Sequence, residues 1–172
     1  MFRIVTYSLL FAVTVLLQVF LFDNLSVSIY LNPLIYVAFI VLLPVDTLPV
    51  WLLFAGVAMG ATMDFLMGTA GINTMATLLI AFIRPFLLSN LYGRDDLRDG
   101  GVPSPERLGH HVFLNYLVVL VVVHHAVFFS LEALSWSHVL RTMVRTIASG
   151  SVTVAVVWLL TRIFTAKFVA RL

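Results

Sequence analysis

Hydrophobic positions in this chain fall into long runs joined by short connections: Ile4–Phe22, Leu31–Leu43, Leu48–Met67, Thr74–Tyr92, Leu108–Leu134 and Val139–Phe168. A helix needs roughly 17–25 mostly apolar residues to cross a bilayer, and five of the six runs are long enough. The second is short. Its clean apolar part begins after Asn32-Pro33 and stops at Pro44, the length of a re-entrant or partial helix unless residues 27–30 extend it. The pattern predicts an all-α, polytopic membrane protein of six transmembrane helices, the second short, forming a single transmembrane domain over residues 1–172. The first run exceeds the roughly 7–15 residues of a signal-peptide core, and no small-x-small cleavage site follows it, so it reads as a retained span.

Composition supports the membrane reading: 62% of residues are hydrophobic, 10% are charged and mean hydropathy is +1.09. A soluble domain carries about 25% charged residues. With no cysteine, disulfides, thiolate metal sites and cysteine nucleophiles are excluded. Ten basic residues against eight acidic ones are too evenly balanced and dispersed for a nucleic-acid partner; the lipid bilayer is the expected one.

Six spans with a cytoplasmic amino terminus put Arg3, Arg94, Arg98, Arg107, Arg162, Lys167 and Arg171 inside, Arg141 and Arg145 outside, and Arg84 within the membrane. That follows the positive-inside rule, with both termini cytoplasmic. Removing the second crossing inverts the bias, unless the amino terminus is also moved outside, where a weaker bias survives. The connection 93–107 is the one sizeable polar stretch and reads as a solvated cytoplasmic hairpin whose arginines fix topology, with docking of a cytoplasmic partner as its other possible use.

Gly56, Gly60, Asp64 and Gly68 recur at a spacing of four within Leu48–Gly68, so they stack on one helix face. Glycines open a groove for another helix, neighbouring or partner, and a carboxylate facing lipid costs roughly 2.5–3.5 kcal/mol. Asp64 therefore points inward. Arg84 is the second ionisable residue within an apolar run, on a face shared with Thr77 and Ala81. Counted from the turn 68–73 the two charges differ in depth by roughly 9 Å, which their side chains can bridge. Arg84 is thus expected as the buried counter-charge of Asp64, with snorkelling to the cytoplasmic surface as the alternative.

Five histidines raise the question of a metal. The doublets His110-His111 and His124-His125 lie roughly 20 Å apart on one helix, too far to share an ion, and no metal site is expected. The first doublet is placed at the interface and the second within the bundle. Ser149-Gly150-Ser151 lacks the Gly-x-Ser-x-Gly elbow and any histidine on its helix, so it reads as small residues at a helix contact, not as a nucleophile. Glu132, Arg141 and Arg145 form an outer-rim cluster, either an interfacial ion group or a docking point for an extracytoplasmic partner.

Leu16-Leu17-Gln18, Asn32-Pro33-Leu34, the string Gly60-x-x-x-Asp64-x-x-x-Gly68-x-x-Gly71-x-Asn73, and Arg84 together resemble the MreD family of bacterial rod shape-determining proteins. The resemblance covers residues 1 to about 90 and is strongest over Gly56–Asn73. The 93–107 loop is longer and more charged than the family pattern, and the last two spans carry no matching motif. The resemblance implies a fold like the substrate-binding subunits of energy-coupling-factor vitamin transporters, no enzymatic activity and no cofactor. It implies a bacterial inner-membrane component of the cell-elongation machinery that binds the bitopic protein MreC. Through MreC it would reach the filament MreB, RodA and a class B penicillin-binding protein. Gly56, Gly60, Asp64, Gly68, Gly71 and Asn73 would then form the assembly face.

A second reading is a vitamin-type transporter subunit whose ligand cavity is lined by Asp64, Arg84 and His124 or His125. The alanine-spaced first helix that docks the energising partner in such transporters is missing, since the first span offers only Ala12.

Overall fold

The computed structural model describes residues 2–22, 31–92, 100–134 and 139–168. Its helices are α1 (Phe2–Leu16), continued by a π-helical turn (Leu17–Phe22), α2 (Val37–Leu42), α3 (Pro49–Met67), α4 (Ile72–Tyr92), α5 (Pro105–Leu108), α6 (His110–Ala133) and α7 (Val139–Phe168). Five of these segments are long and apolar enough to cross a membrane: α1 with its π turn, α3, α4, α6 and α7. The architecture is that of a multi-pass membrane protein. The expected sixth spanning helix is replaced by six residues of α2 between stretches of irregular chain.

Two prolines explain that replacement. Proline disfavours helical geometry in the residue before it, so Pro33 and Pro44 leave only residues 34–42 free to coil. Leu43 duly caps α2 with ψ at 148°, outside the helical range. The segment still runs through the bundle, with Leu34, Ile35, Tyr36, Val37, Ala38, Ile40, Val41 and Leu42 wholly inaccessible.

Side-chain pairs fix its direction. Tyr7 of α1 meets Phe164 of α7, while Gln18 bonds to residues 33 and 35, which flank a residue held by Thr153. α1 and α7 are therefore antiparallel, and the segment starts deep in the bundle. At its other end the Val45 amide donates to the Gly101 carbonyl at 2.8 Å, so it finishes at the end of the bundle that carries the connection before α6. Both the start of α1 and the finish of α7 lie at that same end, because the irregular segment makes the return that a spanning helix would have made.

Irregular backbone at membrane depth is tolerated only where protein supplies its hydrogen bonds. Here five side chains from four elements supply them. Gln18, in the widened π turn, accepts from the Ile35 amide at 2.6 Å and donates to the Pro33 carbonyl at 3.2 Å. Ser149 Oγ and Thr153 Oγ1 of α7 accept from the amides of Asn32 and Leu34 at 2.9 and 3.1 Å. Tyr116 of α6 donates to Val41, and Arg84 of α4 donates to Leu43 and Pro44.

The connection before α6 differs from the solvated hairpin expected. Residues 93–99, including Arg94 and Arg98, lie outside the described residues, as do residues 27–30 and Arg171. The rest folds inward: Val102, Pro103, Ser104 and Pro105 are buried and 105–108 form the short helix α5. Gly100 and Gly101, at φ 63° and 89°, make the bend, and Gly109 at φ 80° separates α5 from α6. Leu108 thus belongs to α5, and the fourth long helix begins at His110.

Gln18 and Thr14 are both fully buried on the first span, which allows a controlled test. Thr14 bonds only to carbonyls of its own helix, whereas Gln18 serves the irregular segment. Gln18→Leu strands one buried amide and one carbonyl at about 1–3 kcal/mol each, so it should lower the thermal midpoint in detergent far more than Thr14→Val. Equal shifts would show that Gln18 does not hold the segment.

Candidate functional site

The α3–α4 turn is organised around one carboxylate. α3 ends at Gly68, whose φ of 68° forms a left-handed cap, and Gly71 at φ 85° bends the chain back. Asp64 then faces the first turn of α4. Its Oδ1 accepts from Thr69 Oγ1 at 2.5 Å, the Asn73 amide at 3.0 Å and Asn73 Nδ2 at 3.1 Å. Its Oδ2 accepts from the Thr74 amide at 2.9 Å and Thr74 Oγ1 at 2.5 Å. The first amides of a helix have no partners within it, and the positive end of its dipole favours an anion. Asp64 therefore caps α4 from the preceding helix.

Arg84 is not its counter-charge. The guanidinium donates through Nε to Tyr116 Oη at 2.9 Å and through its terminal nitrogens to Leu43 and Pro44. At 1% exposure it does not snorkel either. Helix spacing makes an offset of roughly 9 Å bridgeable, but it does not reveal that the end of the irregular segment offers the guanidinium two carbonyls. The two intramembrane charges serve separate structural posts.

The glycine stripe also divides. A Cβ on Gly60 would overlap Thr74 Cα and come within 2.9 Å of the Asn73 carbonyl, and one on Gly56 would sit 2.9 Å from Ala81 Cβ. These two glycines let α4 close on α3, so the groove is occupied by the neighbouring helix of the same chain. Gly68 and Gly71 have open space around them and act through backbone conformation.

Asn73 connects this turn to the centre. Tyr36 Oη donates to Asn73 Oδ1 at 2.6 Å and lies 3.1 Å from His124 Nε2, with Thr77 Oγ1 3.4 Å from the same nitrogen. Since the Tyr36 proton is given to Asn73, His124 must donate from Nε2, which leaves Nδ1 as a buried acceptor without a partner. The adjacent His125 has the opposite tautomer. Its Nδ1 faces the Val121 carbonyl at 2.9 Å and so donates, while Nε2 accepts from Thr153, which itself accepts from Leu34. One polar line thus leaves the irregular segment at Tyr36 and another at Leu34, and they meet at the two histidines, which lie edge to face with ring centroids 5.7 Å apart.

The sequence places His124 and His125 inside the bundle but does not show Tyr36 and Thr153 as their companions, nor Tyr116 and Gln18 as supports of the irregular segment. The available signal was isolation: each is a polar group within an apolar run. Ser149 proves to hold the irregular segment, and Gly150 brings α7 to ordinary contact with Val121. Among the described residues no group of three or more metal-binding side chains occurs. His110 and His111 are exposed, the former 5.9 Å from the Trp158 ring.

At the opposite rim Arg145 pairs with Glu132 at 2.5 Å and lies 4.3 Å over the Phe129 ring. Arg141 is exposed and, among the described residues, makes no such pair. A cavity of about 590 Å³ opens between the ends of α6 and α7, and a smaller one of about 110 Å³ between α1 and α7. Asp64, Arg84, His124 and His125 line neither, so the residues assigned to a transporter's ligand are bonded within the protein instead. No family model, curated protein or solved structure matches the chain.

Separate posts for the two charges make a quantitative prediction. Asp64→Asn turns donors toward the Thr74 or Asn73 donors, and Arg84→Gln abandons carbonyls at the end of the irregular segment; each should destabilise by about 1.5–3 kcal/mol. The double variant should equal the sum of the singles within roughly 0.3–0.5 kcal/mol, as for groups without shared partners. A coupling above 1 kcal/mol in detergent unfolding would show that the two charges do not act separately.

Proposed function

We propose that this protein is a non-enzymatic scaffold of the bacterial cell-elongation complex in the inner membrane, with both termini cytoplasmic, acting as an MreD-like partner of an MreC-like bitopic protein. One observation carries the reading. The string Gly60-x-x-x-Asp64-x-x-x-Gly68-x-x-Gly71-x-Asn73, on which the family resemblance rests most strongly, is a single structural unit: close approach at Gly60, cap at Asp64, turn at Gly68 and Gly71, and a tether to the core at Asn73. Its residues therefore specify how a hairpin is built. Intramembrane charges paired with backbone and hydroxyl groups suit a frame that holds partners in place.

Since Gly56 and Gly60 are covered by α4, the partner must engage some other surface. The outer rim around Glu132, Arg141 and Arg145 is the polar exposed candidate, and MreB, RodA and a class B penicillin-binding protein would be reached through MreC. Charge at such a rim sets encounter and specificity more than affinity.

Co-expression with the MreC-like protein of the same genome should give a complex that survives purification in mild detergent. Gly60→Leu should lower the yield of folded protein and of complex together, because it forces α3 and α4 apart, at a typical overpacking cost of about 1–3 kcal/mol or more. Failure of the folded wild-type chain to co-purify, or retention of rod shape in cells depleted of it, would sink the assignment.

A further inference from the structure

The irregular segment is anchored toward both ends of the bundle. Near its start Tyr36 is bonded to Asn73 in the first turn of α4, and Asn73 is bonded to Asp64 near the finish of α3. At its other end the Val45 amide donates to the Gly101 carbonyl. These anchors are well separated, since Asp64 comes fifteen residues after Pro49 on α3, or about 22 Å at 1.5 Å per residue.

Packing decides what the segment does between them. Residues 34–38 and 40–42 are wholly inaccessible, so protein surrounds this stretch on every side. Close-packed interiors yield little and pass strain on. A displacement of Tyr36 therefore has no room sideways and is carried along the segment, through the turns of α2, to Leu43, Pro44 and Val45.

The far anchor is built to follow. Arg84 Nη2 donates to the Leu43 and Pro44 carbonyls together, so a small axial shift moves the guanidinium from one carbonyl toward the other without leaving it unpaired. Gly101 takes up the motion next. It sits at φ 89°, accepts from Val45 at 2.8 Å, and has the Arg107 guanidinium of α5 where a Cβ would go. Val45, Gly101 and Arg107 thus touch in series, and Gly109 joins α5 directly to α6. Both ends of this line open on the surface, at Phe65, Gly68 and Ala70 beyond Asp64 and at Glu106 beside Arg107.

We propose that the irregular segment is a coupling strut: what moves the α3–α4 turn at one end of the bundle resets the connection 100–108 at the other, and the reverse. The carrier is one packed element bonded at both sites, the kind of contiguous network through which two sites bias each other. The coupling belongs to the bundle itself and holds whichever partner binds at either end.

Hydrogen exchange on the full chain in detergent, read by mass spectrometry, tests it in both directions. Tyr36→Phe removes only the hydroxyl shared by Asn73 and His124. It should speed exchange at residues 104–108, where the Ser104 carbonyl holds the Arg107 and Leu108 amides, about tenfold, the factor that about 1.4 kcal/mol gives. Exchange at residues 117–121 in α6 should not change, which separates the strut from a route through His124. In reverse, Gly101→Ala should speed exchange of the Asn73 and Thr74 amides held by Asp64 by a similar factor. If Gly101→Ala does not fold, Gly100→Ala strains the same bend through its φ of 63° and takes its place. Phe128→Leu, a loss of buried packing on α6 away from the segment's hydrogen bonds, should leave residues 104–108 as they are.

Four results would overturn the proposal. They are a Tyr36→Phe effect confined to residues 69–76, a glycine-variant effect confined to residues 100–108, a rise that is alike in every helix, or a Phe128→Leu effect at 104–108 as large as that of Tyr36→Phe.

Discussion

Between Pro33 and Pro44 the backbone passes through the middle of a helical bundle with barely a turn and a half of helix of its own, and the rest of the structure is arranged to make that possible. In hydrocarbon each unpaired peptide group costs several kcal/mol, a penalty that spanning helices avoid by pairing internally. This segment cannot. Its amides and carbonyls are met by Gln18, Ser149, Thr153, Tyr116 and Arg84, drawn from the first span and from α4, α6 and α7. Four of the buried polar side chains, Gln18, Arg84, Ser149 and Thr153, together with the Tyr116 hydroxyl, are thus accounted for by one short stretch of irregular chain.

The Asp64 turn extends the same logic to a helix end. α4 begins with amides that need acceptors, and the carboxylate offered by α3 satisfies two of them along with two hydroxyls and the Asn73 side chain. Asn73 then spends its remaining oxygen on Tyr36, which stands in the irregular segment. The cap and the segment are therefore one network. Displacing the turn would pull on Tyr36 and, through it, on His124, so the hairpin that carries the family-like string is coupled to the core by direct bonds.

The long helices were legible because their apolar runs match bilayer thickness, and Val139–Phe168 appears with the boundaries its hydropathy predicts. Pro33 and Pro44 likewise announced that the second run would be short. The hairpin's glycines and Asp64 were recognisable as a packing site, but spacing alone could not decide between a partner helix and the neighbouring one. The Arg84 assignment failed for a related reason. Depth along a helix says how far apart two side chains are, and nothing of a competing acceptor contributed by chain forty residues away. The inward fold of 100–105 was hidden because a Gly-Gly and Pro-Ser-Pro composition marks irregular backbone without saying whether water or protein covers it.

The sequence separations in the network bear on how the protein must be assembled. Asn32 and Leu34 find their acceptors 117 and 119 residues later, on the last helix, whereas Gln18 precedes its partners by fewer than twenty. Until α7 is in place the segment holds two amides that no earlier helix satisfies, and until α4 and α6 are in place its carbonyls at Val41 and Leu43 are similarly bare. Its native course is therefore a property of the complete bundle. A chain built this way gains rigidity at its centre from contacts among all its spans.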